Sequence, residues 1–269
     1  MTELQPIFRL KCDLAAAAKA LSLNEARYLV DIYYSLQEYC KVSQNQILAL
    51  TENDEPSSVI QWFFDQTASI ESQIRRALDK WTDEQPISQW AKSITGIGPV
   101  IAAGLLAHID ITKAPTVGHI WRFAGLDPTN KWEKKTRRPW NASLKTLCWK
   151  IGESFVKVCN LETDFYGKIY RQRKDQEILR NEAGDFAAQA AAMLTAKKIG
   201  KDTEAFLACA AGKLPPAHIH ARAKRYAVKL FLAHYHEIAF RLHFNTDPPL
   251  PYAIPRLQHA HKIEPPIGI

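Results

Sequence analysis

The spacing of apolar residues along the chain predicts a succession of helices. Tyr28, Leu29, Ile32, Leu36, Tyr39 and Cys40 recur at helical intervals, behind a Ser22-Leu23-Asn24-Glu25 stretch with the form of a capping box. They predict a long helix to about residue 50, followed by a polar break over 51–56. A second long helix is predicted from residue 57 or 58 to 81. Its stripe is Ile60, Phe63, Phe64, Ile70, Ile74, Ala77, Leu78 and Trp81. Residues 141–158 repeat the pattern, with Asn141 as cap and Leu144, Leu147, Cys148, Ile151, Phe155 and Val158 as the buried face. A helix over 166–195 is expected to run through Gly184, which weakens it without stopping it. A short helix lies within 200–212. The last long one, 217–244, buries Val228, Phe231, Leu232, Tyr235, Ala239 and Leu242. No segment alternates like a strand and no repeat is evident. The expected class is all-α, a helical bundle with a long N-terminal helical hairpin.

Between these helices lies Ile94-Thr95-Gly96-Ile97-Gly98-Pro99-Val100, leading into a run of small and branched apolar residues. Gly96 and Gly98 permit a very tight turn, and Ile97 between them can plug inward. Pro99 suits the first position of a new helix. Helices over 87–93 and 99–109 would then flank the turn. The amides of Gly98 through Val100 would face outward from a helix N-terminus, where a phosphate is a natural occupant. This looks like a helix-hairpin-helix motif, a sequence-independent grip on the DNA backbone. The bland alternative is an ordinary tight turn between helices.

Charge sharpens that reading. The 269 residues carry a formal net charge of +7. Residues 1–90 hold 8 Lys+Arg and 13 Asp+Glu, a net of −5, and residues 91–269 hold the remaining 27 and 15, a net of +12. The basic character begins at the hairpin, which favours an acidic partner. A short helix over 116–123 ends at Ala124-Gly125-Leu126-Asp127-Pro128. Then come Lys131, Lys134, Lys135, Arg137 and Arg138, five cations in eight residues, flanked by Trp132 and Trp140. Such a loop can lay charge on phosphates while its aromatic rings stack on bases or brace the loop. Arg222, Arg225 and Lys229 share one helical face and form a second candidate patch. The segmentation expected is a helical hairpin and dimerisation arm over 1–85, a hairpin domain with its basic loop over 86–160, C-terminal helices over 161–244, and a proline-rich tail over 245–269.

The glycine turn, the Phe123-Ala124-Gly125-Leu126-Asp127-Pro128 stretch, the basic loop and the helix opening Asn141-Ala142-Ser143-Leu144-Lys145 together resemble the C-terminal domain of insertion-sequence transposases. That family pairs a RuvC-like DEDD domain with a helix-hairpin-helix domain. The resemblance covers about residues 85–160, with a weaker echo of the family's coiled-coil arm in the two long helices. It implies DNA binding. It also implies a serine nucleophile in the loop after Gly125-Leu126-Asp127-Pro128, and four acidic metal ligands on a strand-rich domain. Here that loop contains no serine as far as Trp140, and residues 1–90 read as helices.

Other chemistry is sparse. His218-Ile219-His220 with Tyr226 resembles the metal-and-tyrosine set of HUH nucleases, in which a metal polarises the phosphate and tyrosine attacks it. Residues two apart share a face on a strand but diverge by about 200° on a helix, and this stretch reads as a helix start. His234 and His236 have the same spacing, His259 and His261 lie in the tail, and Asp110 and Asp127 read as caps. Five cysteines without a CxxC argue for reduced thiols, not a zinc site. No signal peptide or membrane span is evident, so a cytoplasmic, nucleoid-associated protein is expected. The expected function is a transposase-like, non-catalytic protein of a phage or mobile element that grips the DNA backbone, with no cofactor. RNA stays open as a second nucleic acid, and a homodimer through the N-terminal helices as an assembly. Two alternatives are a nuclease or recombinase using His218, His220 and Tyr226, and an adaptor that inhibits a recombinase or host factor.

Overall fold

The computed structural model describes residues 13–196, 199–249 and 262–266. Among them are eleven α-helices and no strand, so the protein is all-α. In order the helices are α1 (Asp13–Lys19), α2 (Leu23–Glu52), α3 (Ser58–Thr82), α4 (Pro86–Ser93), α5 (Pro99–His108), α6 (Val117–Phe123), α7 (Ala142–Val158), α8 (Tyr166–Glu182), α9 (Ala187–Ala196), α10 (Glu204–Ala210) and α11 (Pro216–Phe244). Contacts divide the chain into two compact units. One holds residues 1–93 and 97–113, the other 94–96 and 114–269.

The first unit is built on α2, α3 and α5. Ser22 opens α2 with a complete capping box: its hydroxyl accepts from the Glu25 amide at 3.2 Å, and the Glu25 carboxylate accepts from the Ser22 amide at 2.8 Å. α5 is apolar all round, and nearly every residue in it is buried. Ala26 and Val30 of α2, Leu78 of α3, and Val100, Ala103 and Ala107 of α5 form the core, with Tyr33, Tyr34, Ile74 and Trp81 packed against it. The helix that the sequence groups with the basic loop is thus, by its contacts, the inner helix of the N-terminal unit. Beyond this core, no residue from 31 to 76 is fully buried, although α2 and α3 run alongside each other there.

The second unit is organised around α11, which contacts α6, α7 and α8. Phe155, Tyr166 and Phe231 form its aromatic centre. Phe155 stacks on Tyr166 at 4.9 Å between centroids, and Phe231 meets Tyr166 edge-on at 5.2 Å. Asn141 caps α7 as expected, accepting from the Leu144 amide at 2.8 Å. The continuous helix predicted over 166–195 is corrected. α8 ends at Glu182, Gly184 takes φ +86°, and α9 begins at Ala187. At that φ the Gly184 and Asp185 amides turn back to the Asn181 and Arg180 carbonyls, which closes the helix end. Of the proline-rich tail, residues 262–266 lie against α11, where the Ile263 carbonyl accepts from His234 Nε2 at 2.8 Å. His259, His261 and Cys12 lie outside the described residues.

Candidate nucleic-acid interface

The turn between α4 and α5 is tight. Gly96 has φ +94°, and a Cβ there would lie 3.1 Å from Val158 Cγ2 and 3.2 Å from Ser154 Oγ. The Ser154 hydroxyl donates to the Gly96 carbonyl. Ile94 and Ile97 are buried. Gly98 is the extended N-cap of α5 and Pro99 its first residue. A Cβ on Gly98 would meet nothing within 4 Å, so its flank is open. The amides of the first turn of α5, Val100 among them, lack intrahelical acceptors by construction.

The basic loop follows α6 and is pinned at both ends. Asp127 Oδ1 accepts from the Thr129 amide at 2.9 Å and from its hydroxyl at 2.8 Å, while the Asn141 amide donates to the Phe123 carbonyl at 2.9 Å. Those Thr129 hydrogen bonds hold the Asp127 carboxyl below its ordinary range, aided by Lys229 and Arg122. Residues 131–139 are all exposed. Trp132 Nε1 donates to the Thr136 carbonyl at 2.9 Å, and the Arg138 guanidinium lies 5.4 Å from the Trp132 ring. Trp140 is the inner brace. Gly125, at φ +65°, approaches its ring so closely that a Cβ would sit 2.9 Å from it, and Lys145 Nζ lies 4.0 Å above the ring.

The ends of this loop border a groove of about 290 Å³, lined by residues of the 125–128 turn, α7 and α11. Its cations are Lys145, Lys224 and Arg225, its exposed ring is Trp149, and its one carboxylate is Asp127. Burial pushes the Lys145 ammonium below its ordinary range, and the like charges of Arg225 and Arg138 push it the same way. Lys224 is neutralised by Glu153. Among the described residues, Arg225, Lys145 and the five loop cations form no ion pair with a carboxylate.

On the face containing Arg222, Arg225 and Lys229 the three side chains meet different partners. Arg222 Nε donates to the buried Glu177 at 2.6 Å, and its guanidinium lies 4.4 Å from the Phe186 ring. Burial alone would raise the Glu177 carboxyl, but Arg222 and Arg173 overcome it and hold it low. Lys229 Nζ sits 4.1 Å over Trp121, and burial lowers its pKa. Arg225 reaches the groove. Sequence reasoning passed over Trp149, although it is a large apolar residue off the buried stripe of α7, next to Lys150.

The histidine and tyrosine candidates are dispersed. His218 and His220 lie on α11, where side chains two apart diverge. His220 Nδ1 is engaged by the Tyr170 hydroxyl at 2.7 Å, and Tyr226 is exposed beneath Arg173. His234 links Tyr166 to Ile263, and His236 Nε2 donates to the Ala114 carbonyl at 2.7 Å. Asp110 and Asp127 each bind a threonine two residues on, as caps do. Among the described residues, no group of three or more His, Cys, Asp or Glu is arranged to hold a metal ion. Among them too, no helix is long and apolar enough to cross a membrane.

The two-glycine turn, the Gly-Leu-Asp-Pro turn and the α7 wall of the cation-lined groove fall within one segment that matches a known family. Residues 88–151 match the model of the transposase IS116/IS110/IS902 family. No curated protein and no solved structure matches the chain. The protein is transposase-like through this segment, which runs from within α4 to the middle of α7.

Proposed function

We propose that the protein binds DNA through backbone phosphates, as a transposase-like protein of a phage or mobile element that does not itself cut or join strands. The observation that carries this reading is the set of cations at the transposase-related segment. Lys131, Lys134, Lys135, Arg137, Arg138 and Lys145, with Arg225 beside them, have no carboxylate partner among the described residues. Elsewhere several cations are matched: Lys92 sits between Asp79 and Asp83, and Glu177 is clamped by arginines. Clustered like charges without counter-charges repel one another, a cost that an anionic ligand offsets.

The α4–α5 turn is a second grip in this reading, a helix-hairpin-helix whose Gly98 and Val100 amides hold a phosphate at the α5 N-terminus, with Gly96, Ile97 and Pro99 setting the turn. Contact to backbone and not to bases makes binding largely independent of sequence. The loop from Pro128 to Trp140 has no serine, and the His218, His220 and Tyr226 set is divided on a helix. The homodimer belongs to the same reading. Along 31–76, α2 and α3 leave Tyr39, Val42, Leu48, Val59, Phe63 and Ile70 exposed, an apolar complement that a second copy would cover.

The test is fluorescence anisotropy on duplex DNA across a salt series, for the wild type and Gly98→Glu. A Cβ at Gly98 meets nothing within 4 Å, and its φ of −94° is open to any residue, so circular dichroism should be unchanged. The expected outcome is steeply salt-dependent binding, weakened at least tenfold by the glutamate. A wild type that binds no DNA would turn the search to protein partners. Binding indifferent to Gly98→Glu would remove the hairpin from the interface.

A further inference from the structure

We infer that the groove between the 125–128 turn, α7 and α11 receives an unpaired nucleotide of a DNA strand, with Trp149 as its stacking platform and Arg225 and Lys145 as its phosphate ligands. The inference rests on the DNA reading above and names the form of DNA that the site takes.

Three observations carry it. First, the groove is a built concavity of about 290 Å³, at the lower edge of the range of small-ligand pockets and large enough for one base with its sugar. A duplex, whose bases are stacked and paired inward, presents its phosphates but no free base to enter it. Second, Trp149 is 57% exposed although it sits on a helix whose other large apolar residues are mostly buried. Lys150 Nζ lies 5.6 Å and Lys224 Nζ, which is paired with Glu153, 5.7 Å from its ring. An exposed tryptophan flanked by ammonium groups is the composition of a single-strand platform, where rings stack on bases and cations follow the backbone. Third, the remaining charges suit an anion. Lys145 and Arg225 have no carboxylate partner, and Lys145 is held in place by Trp140. Asp127, the groove's one carboxylate, has Lys229 and Arg122 near it to offset its charge.

Position in the chain supports the choice. Gly152 faces the Lys224 and Val228 side chains so closely that a Cβ would lie 3.3 Å from Val228. This close approach sets α7 against α11 and fixes the spacing of the two helices that wall the groove.

The experiment compares three substrates by anisotropy at fixed salt: a duplex, the same duplex with a gap of several nucleotides, and oligo(dT). The proteins are the wild type, Trp149→Ala and Trp149→Phe. Trp149 is largely solvent-exposed, so the alanine variant should fold, and Trp149→Phe retains a ring if it does not. The expected result is tighter wild-type binding to gapped DNA and oligo(dT) than to duplex. Trp149→Ala should lose that preference by about tenfold, and Trp149→Phe should keep most of it. Duplex binding without a single-strand preference, or a preference indifferent to Trp149→Ala, would overturn the inference and leave the DNA reading standing. Failure of the wild type to bind any of the three would overturn both.

Discussion

His108 ends α5, the position where a protonated imidazole would complement the helix dipole. Burial wins over that attraction. The ring is almost wholly enclosed, its Nδ1 has no hydrogen-bond partner, and burial with the nearby Arg27 guanidinium lowers its pKa to about 4. Arg27 cannot retreat, because its Nε donates to the Ala107 carbonyl at 2.8 Å. The folded protein therefore binds fewer protons than the unfolded chain between the ordinary histidine pKa and about 4. Stability should be full above the ordinary value and fall as pH drops through that window. His234 and His236, also lowered by burial, act in the same direction. Urea denaturation at pH 7, 6 and 5 should give a declining midpoint for the wild type and a shallower decline for His108→Gln. An equal decline in both would show that His108 does not hold this neutral, enclosed state. Gly125 is the residue-scale counterpart on the other unit: its left-handed φ and its contact with Trp140 leave no room for a side chain, so the loop's inner brace depends on a missing Cβ.

At the scale of elements, what could be read from the chain was what is local. Ser22 and Glu25 mark the start of α2, Asn141 marks that of α7, and both caps form as their spacing requires. Gly184 was harder, because a glycine within a helical pattern is compatible with continuation, and only the bonds returning to Arg180 and Asn181 settle the break. The placement of α5 was not legible. Its apolar composition on every side announces burial but not which helices enclose it. The groove was hidden for a similar reason, since Lys145 and Arg225 are far apart in sequence and meet only through α7 against α11. The N-terminal arm carries a prediction at this scale. Two helices alone cannot enclose a core, and the arm's outer residues are partly or fully exposed. Light scattering after gel filtration should give twice the chain mass for the wild type, and the monomer mass for Val42→Glu/Phe63→Glu with unchanged helicity. A wild type that is monomeric at tens of micromolar would discard the dimer.

On the scale of the whole molecule, charge separates along the chain as helices do not. The net of −5 over residues 1–90 and +12 over 91–269 places the excess cations after the glycine turn. Within the second unit the excess is further concentrated, because Arg222, Arg173, Arg180 and Lys224 are spent on Glu177 and Glu153. The densest run of cations left without carboxylate partners is the exposed loop, with Lys145 and Arg225 in the groove beside it. Under that division, removing loop cations should act on affinity through counterion release and not through fold. The triple substitution Lys134→Glu/Lys135→Glu/Arg137→Glu changes only exposed side chains, with Lys135 already at φ +70°. If all three contact duplex phosphates, the slope of log K against log salt should become shallower by about 2.7, at about 0.9 per contact. Reversing Lys41 and Lys80, exposed and paired in the acidic N-terminal part, should leave the slope where it was. A slope equally reduced by both sets would mean that the chain's overall charge, and not this loop, attracts DNA. A slope unmoved by the loop set would locate the phosphate contacts in the groove and at the α5 N-terminus alone.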